Sequence, residues 1–64
     1  KVTKRNYLIT GEMVTVMYPY DANWWNTEGI VAQFEGNNMY LIEDVNGNKI
    51  SIHIQHVSFK EADK

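Results

Sequence analysis

The chain contains no cysteine, and it has one proline and four glycines among its 64 residues. Without cysteine it can form no disulfide framework, thiolate zinc site or cysteine nucleophile. Its apolar runs are only a few residues long, whereas roughly 20 apolar residues are needed to cross a bilayer, and no charged-then-apolar leader opens the chain. These absences predict a soluble protein of the cytoplasm or another reducing compartment, without membrane insertion.

Basic charge is scarce in the centre of the chain. Residues 6–59 contain one basic residue, Lys49, against six acidic residues, while Lys1, Lys4 and Arg5 form a basic tail. Proteins bind phosphate backbones through clustered lysine and arginine, which the acidic centre does not offer. The charge therefore favours a basic protein or peptide partner over nucleic acid. The alternative is nucleic-acid binding through Lys1, Lys4, Arg5 and Lys49.

Glycine, asparagine and proline divide the sequence into short segments in which apolar residues alternate with a period of two. This period is typical of β-strands, and 64 residues suffice for one domain. The pattern predicts strands at residues 12–18, 29–34, 39–44 and 49–54 and a short fifth strand at 58–59. A long loop is expected at 20–27, a bulge near Ala32, and a single helical turn at 55–57.

The turns between these strands have their own signals. Residues 35–38 are rich in glycine and asparagine, which tolerate positive φ. Asn46-Gly47 is the strongest short hairpin signal, and it predicts a turn with positive φ at both residues. In the fourth strand, Ile52 and its isoleucine neighbours two positions away are expected to face the core.

Together these elements predict an all-β fold, a five-stranded, partly open barrel with one short helical turn before the last strand. The expected organisation is a basic tail or edge segment at residues 1–9, the barrel at 10–59 and a charged end at 60–64. Within the first segment, Tyr7-Leu8-Ile9 can add an edge strand or cover the open side of the barrel, and if it does neither it is a docking segment. A barrel this small has no interior for a substrate.

The order of motifs resembles the SH3-like barrel superfamily, over residues 10–59. The resemblance rests on Gly11-Glu12-x-Val14, a tryptophan late in the long loop, Gly29-Ile30-Val31, and Tyr40-Leu41-Ile42 before an acidic turn. This superfamily includes Tudor and chromo-barrel readers and the carboxy-terminal domains of retroviral and retrotransposon integrases. It also includes the small stromal barrel subunit of photosystem I. One fold carries many functions, so the resemblance implies a fold first.

Two members of this superfamily are locally similar to the chain. The run Trp24-Trp25-Asn26-x-x-Gly29-x-Val31-Ala32 is similar to the photosystem subunit, which implies an accessory subunit of an electron-transfer complex. The overall layout is similar to the integrase domains, which implies nucleic-acid binding. Both remain alternatives to a peptide-binding module.

Aromatic residues are concentrated around the long loop. Four of them lie between residues 18 and 25, and Tyr40 is expected nearby. Because Trp24 and Trp25 are adjacent, only one can readily enter the core, and the other should be exposed. An aromatic surface with an acidic rim suits a cationic side chain or a proline-rich strand. The predicted binding residues are therefore Tyr18, Tyr20, Trp24, Trp25, Tyr40, Asp21 and Asp44. The alternatives are that both tryptophans cap the open end of the barrel or that they form an oligomer contact.

The sequence offers little for catalysis. His53 and His56 lie at a strand end and a turn, where their spacing does not place them on one face, and no carboxylate has a diagnostic metal-ligand spacing. Glu43 and Asp44 are neighbours on one strand that face opposite ways, so they do not form a pair of catalytic carboxylates. Ser51 and His53 can face the same side, but simple alternation along a strand predicts that by chance. We therefore predict no enzyme, no cofactor and no metal. The expected function is a non-catalytic binding module or accessory subunit that recognises a basic or proline-rich protein or peptide.

Overall fold

The computed structural model describes residues 6–59 as a single five-stranded antiparallel sheet that is not closed into a full barrel. The strand order is β4-β3-β2-β1-β5. The elements are β1 Met13–Met17, a 3₁₀ turn at Ala22–Trp24, β2 Trp25–Gly36, β3 Met39–Asp44, β4 Lys49–His53, a second 3₁₀ turn at Ile54–His56, and β5 Val57–Ser58. The all-β prediction, with one helical turn before the last strand, is confirmed.

The alternation of apolar residues decides which face of each strand is buried. Val14 and Val16 of β1 face inward, and Ile42 and Ile52 of β3 and β4 are fully buried beside them. The whole core consists of Leu8, Val14, Val16, Trp24, Val31, Tyr40, Ile42, Ile52 and Val57. No polar side chain is buried among the described residues. The inward facing predicted for Ile52 is confirmed.

Strand β2 is longer than the sequence indicates, since it begins at Trp25 rather than Gly29 and ends at Gly36 rather than Phe34. The predicted long loop is therefore wrong in its last three residues, 25–27. The register explains the extension, because Val16 pairs with Thr27 while Met17 pairs with Trp25. The skipped residue, Asn26, has a φ of 58°, a left-handed conformation that asparagine tolerates better than most residues. A bulge thus continues the strand through residues that look like a loop.

A second irregularity in β2 confirms the bulge predicted near Ala32. Val31 pairs with Ile42, but the next pair on the strand is Gln33 with Leu41. The extra residue bends the strand and changes which side chains face the core.

The β3–β4 hairpin differs from the two-residue turn that Asn46-Gly47 predicts. The Asp44 N–H donates to the Asn48 carbonyl over 2.8 Å, and the Gly47 N–H donates to the Asp44 carbonyl over 3.1 Å. Gly47 has a φ of 85°, whereas Asn46 is not among the residues with positive φ. This is a three-residue loop, a turn followed by a left-handed glycine, and the prediction of positive φ at both residues is wrong.

Replacing Gly47 by valine is expected to lower the free energy of unfolding by about 1 to 2 kcal/mol, because a β-branched residue is strained at a φ of 85°. Urea denaturation monitored by tryptophan fluorescence would measure the change. Gly47→Asn is the matched control, since asparagine tolerates this conformation and should retain most of the stability. Equal stability of the valine variant and the wild type would contradict the hairpin geometry.

The second 3₁₀ turn lies one residue earlier than predicted, at Ile54–His56, so β5 also begins one residue earlier, at Val57. The cause is local. The His53 Nδ1 accepts a hydrogen bond from the Gln55 N–H over 3.0 Å and thereby caps the turn at its start.

The N-terminal segment covers the core rather than pairing as a strand. Leu8 is buried, and its N–H donates to the Tyr40 hydroxyl over 3.1 Å. Residues 6–12 contain no strand. The predicted basic tail at Lys1, Lys4 and Arg5 and the charged end at residues 60–64 lie outside the described residues.

Candidate binding surface

Three aromatic rings meet at the end of β1. The Tyr18 and Tyr20 ring centroids lie 5.2 Å apart, and the His56 ring lies 5.4 Å from Tyr18 and 6.1 Å from Tyr20. All three pairs are edge-on, at interplanar angles of 70°, 83° and 85°. Edge-to-face packing at these distances is the favoured arrangement of aromatic rings. We call Tyr18, Tyr20 and His56 the aromatic cluster.

Within the aromatic cluster, Tyr18 is anchored on the core and Tyr20 is open to solvent. Tyr18 is half-buried and packs against the core, whereas Tyr20 is 77% exposed after Pro19 ends the strand. An exposed tyrosine held against two other rings presents apolar area to a partner at a small cost in side-chain entropy.

His56 joins this cluster through the topology of the sheet. Strand β5 pairs with β1, and Val57 lies directly opposite Val16. The residue before Val57 is therefore brought beside the end of β1, where Tyr18 lies. The sequence identifies His56 only as a turn residue, because nothing local indicates that the last strand returns to the first.

Asp21 follows Tyr20 and is held in place by the first 3₁₀ turn. Its Oδ1 accepts a hydrogen bond from the Asn23 N–H over 3.0 Å, and its carbonyl accepts one from the Trp24 N–H over 2.9 Å. A carboxylate at this cap position is typical of a helical start. The predicted acidic residue is thus fixed next to the cluster along the chain.

The two tryptophans separate as their adjacency predicts. Trp24 is only 8% exposed and belongs to the core, whereas Trp25 is 51% exposed at the start of β2. Trp25 lies opposite Met17 in the register, and within residues 6–59 its ring contacts neither Tyr18 nor Tyr20. Trp25 is therefore not part of the aromatic cluster.

Tyr40 does not reach the exposed surface. It is 4% exposed, its hydroxyl accepts the Leu8 N–H, and its ring packs 5.0 Å from that of Phe34. The structure thus gives Tyr40 a place in the core beneath the N-terminal segment. The hydroxyl explains how a tyrosine is tolerated there, since its polar atom has a partner.

Asp44 organises the β3–β4 hairpin and is distant in sequence from the aromatic cluster. Its Oδ1 accepts the N–H groups of Asn46 and Asn48, at 2.9 and 2.8 Å, and its Oδ2 accepts the Asn48 side-chain amide at 3.2 Å. Desolvation acts to raise the pKa of Asp44, but the hydrogen bonds from Asn48, Asn46 and Gly47 outweigh it and lower the pKa below its ordinary value of 3.8.

The lowered pKa of Asp44 predicts a pH dependence of stability. A carboxyl whose pKa is lower in the folded state stabilises that state above pH 3.8 and loses this contribution as the pH falls through the lowered value. Asp44→Asn is therefore expected to reduce the loss of stability as the pH falls from 3.8 through the lowered pKa of Asp44. Thermal unfolding of the variant and the wild type at several pH values would measure this loss of stability. Glu35→Gln controls for net charge, and an identical acid response of Asp44→Asn and wild type would contradict the assignment.

The remaining candidate residues are scattered. Lys49 lies exposed at the start of β4, and its predicted nucleic-acid partners Lys1, Lys4 and Arg5 are outside the described residues. Residues 6–59 hold no group of three or more metal-ligating side chains, and they include no helix long and apolar enough to cross a membrane.

The chain was compared with protein families, curated proteins and solved structures. None of the three comparisons finds a match. The surface chemistry of the described residues is therefore what indicates the function of this chain.

Proposed function

We propose that this chain is a non-catalytic binding module that recognises an extended segment of another protein through the aromatic cluster. The observation that supports the proposal is the packing of Tyr20, which is largely exposed yet held edge-on against Tyr18 and His56. Exposed aromatic residues held in place by their neighbours are the usual anchors of protein interfaces.

The charge of the described residues supports a basic or proline-rich partner. Residues 6–59 carry six acidic side chains and one basic one, and Asp21 is fixed beside Tyr20 in the chain. A cation near an aromatic face gains electrostatic attraction, and a proline-rich segment docks on flat rings without losing much conformational freedom. Both partner types use the same surface.

An SH3-like barrel is the fold family that we propose for the chain. The strand order β4-β3-β2-β1-β5 and the 3₁₀ turn before β5 support this assignment.

The proposal contains no catalytic step. On the outward side of β4, Ser51 supplies a hydroxyl and His53 an imidazole. The Nδ1 of His53, however, already accepts a hydrogen bond from the Gln55 N–H as a cap. This arrangement supports a structural role for His53 rather than that of a general base.

Titration of the ¹⁵N-labelled chain with three separate probes would test the proposed function. The probes are a proline-rich peptide, a lysine- and arginine-rich peptide, and a short single-stranded oligonucleotide. We expect one of the peptides to shift the amide signals of Tyr18, Tyr20 and His56 and to retain its effect at moderate salt. Binding of nucleic acid should instead weaken steeply with salt.

Tyr20→Ala is expected to weaken peptide binding about tenfold, since an anchoring tyrosine at an interface contributes more than 1 kcal/mol. Phe34→Ala is the matched control, because Phe34 is also an exposed aromatic residue but packs on Tyr40. Isothermal titration calorimetry would compare the dissociation constants. Equal weakening by both variants, or binding of the oligonucleotide alone, would contradict the proposal.

A further inference from the structure

A second exposed apolar surface lies on the outer face of the sheet, away from the aromatic cluster. Met13 of β1 pairs directly with Ile30 of β2, and Val45 follows the end of β3 beside them. Met13 is 63% exposed and Val45 is 90% exposed, and together with Ile30 they line a cavity of about 80 Å³. We call this the Met13 cleft.

The volume of the Met13 cleft matches one aliphatic chain. An apolar cavity of about 150 Å³ holds a benzene ring, so the smaller cleft has room for a stem of three or four carbons. It is open to solvent on one side, which lets a side chain enter with its end remaining outside. Clustered exposed apolar side chains mark interaction sites more often than isolated ones do.

Three acidic residues also contribute to the lining of this apolar cleft. Glu28, Glu43 and Asp44 line the cleft, and none of the basic residues that the structure describes lines it. Glu28 and Glu43 have no hydrogen bond or ion pair within residues 6–59, whereas the oxygens of Asp44 are engaged in the hairpin. Lys49 is the nearest base by register, opposite Glu43. Within the part of the chain that the structure describes, the Glu28 carboxylate is thus available to a ligand without competition from a paired base.

An apolar floor with carboxylates at its rim is complementary to a long cationic side chain. Arginine and lysine place their carbon stems on apolar surface and keep their charged ends at the edge. The guanidinium of arginine also fits a carboxylate with two parallel hydrogen bonds. A purely aliphatic ligand would leave the rim carboxylates unmatched.

We propose that the Met13 cleft binds an arginine side chain from a basic segment of a partner protein, with the stem on Met13 and Ile30 and the guanidinium on Glu28 and Glu43. The site is independent of the aromatic cluster, because Met13 begins β1 and Tyr18 directly follows its other end, about 16 Å away at the rise of a strand. The proposal for the Met13 cleft and the proposal for the aromatic cluster can therefore each be contradicted without affecting the other.

Three peptides of the same length separate the contributions of charge and stem. The first alternates arginine with serine, the second replaces arginine by citrulline, and the third replaces it by norleucine. Citrulline keeps the shape of arginine without its charge, and norleucine keeps the aliphatic stem. We expect the arginine peptide to shift the amide signals of Met13, Ile30 and Val45, and the other two peptides to bind at least fivefold more weakly.

Variants of this protein test the rim and the floor. Glu28→Gln is expected to weaken binding of the arginine peptide two- to fivefold, as an exposed ion pair allows. Glu35→Gln is the matched control, since it removes the same charge from the other end of β2 and should change binding less than twofold. Ile30→Thr keeps a β-branched residue in the strand and should weaken the arginine and norleucine peptides alike.

Four results would overturn the proposal. The first is equal binding of the arginine and citrulline peptides, and the second is an equal effect of Glu28→Gln and Glu35→Gln on binding. The third is that the arginine peptide shifts only the amide signals of Tyr18, Tyr20 and His56. The fourth is that the amide signals of the Met13 cleft shift with protein concentration alone. The last result would assign the cleft to a second copy of this chain. Thermal unfolding of each variant would confirm that the fold is retained.

Discussion

Replacing Ile52 by alanine is expected to lower the free energy of unfolding by about 2 to 5 kcal/mol, the range for truncating a fully buried isoleucine. Ile52 is 1% exposed and pairs with Tyr40 across β3 and β4. The truncation removes apolar contacts and leaves a cavity that the surrounding strands fill only in part. A domain of this size has about 3 to 10 kcal/mol of total stability, so the loss is a large share of it.

Urea denaturation would measure the effect of Ile52→Ala. Ser51→Ala is the matched control, because Ser51 is the exposed neighbour on the opposite face of β4 and its replacement should change stability by less than about 0.5 kcal/mol. If the alanine variant does not fold, Ile52→Val should still cost about 0.5 to 1.5 kcal/mol. A loss below about 1 kcal/mol for a folded Ile52→Ala would show that this side chain is not in the core.

Gly29→Ala is expected to lower stability by about 1 to 3 kcal/mol, the usual cost of adding a group to a packed core. A Cβ at Gly29 would lie 2.7 Å from the Ile42 Cγ2 and 2.9 Å from the Glu43 carbonyl oxygen. The side chain of Ile42 can move, but the carbonyl belongs to the neighbouring strand, so β2 and β3 would have to separate locally.

The test is whether Gly29→Ala lowers or raises stability, because the intrinsic preference of a strand for alanine over glycine would raise it. Alanine in a strand is favoured over glycine by roughly 0.5 to 1 kcal/mol when nothing obstructs its methyl group. Thermal or urea unfolding of Gly29→Ala would decide, with Gln33→Ala as a control at an exposed position of the same strand. A stabilised Gly29→Ala would mean that the strands are further apart here than the structure places them.

The sequence was informative wherever local alternation determines the outcome. Ile52 and Ile42 face the core because every second residue on a strand faces the same side. The same rule led us to expect that Trp24 and Trp25 separate, and they do, although Trp24 ends a 3₁₀ turn and only Trp25 lies in a strand. The apolar pattern around Ala32 required an extra residue in the strand. These predictions needed no knowledge of which strands are neighbours.

The errors arise where distant residues or side-chain hydrogen bonds decide the structure. The start of β2 at Trp25 depends on pairing with β1 and on the left-handed Asn26, so it resembles a loop when seen alone. The hairpin turn is set by Asp44, whose oxygens hold Asn46 and Asn48. The pattern of residues along the sequence does not show which side chains form such hydrogen bonds.

The candidate surface was predicted only in part for the same reason. Tyr18, Tyr20 and Asp21 are close in sequence, and the structure retains them as neighbours. Tyr40 enters the core because the Leu8 N–H supplies a partner for its hydroxyl, and His56 reaches the cluster only through the pairing of β5 with β1. Both depend on contacts between residues that are far apart in the sequence.

The pairing of β5 with β1 also has a consequence for the order in which the chain can fold. The contacts from β2 to β3 and from β3 to β4 join neighbouring segments, so these hairpins can form early and at a small cost in loop entropy. The contact of Val16 with Val57 closes a loop that contains most of the described residues. During synthesis, β1 would therefore keep one unpaired edge until Val57 and Ser58 have left the ribosome, and the aromatic cluster would be completed last.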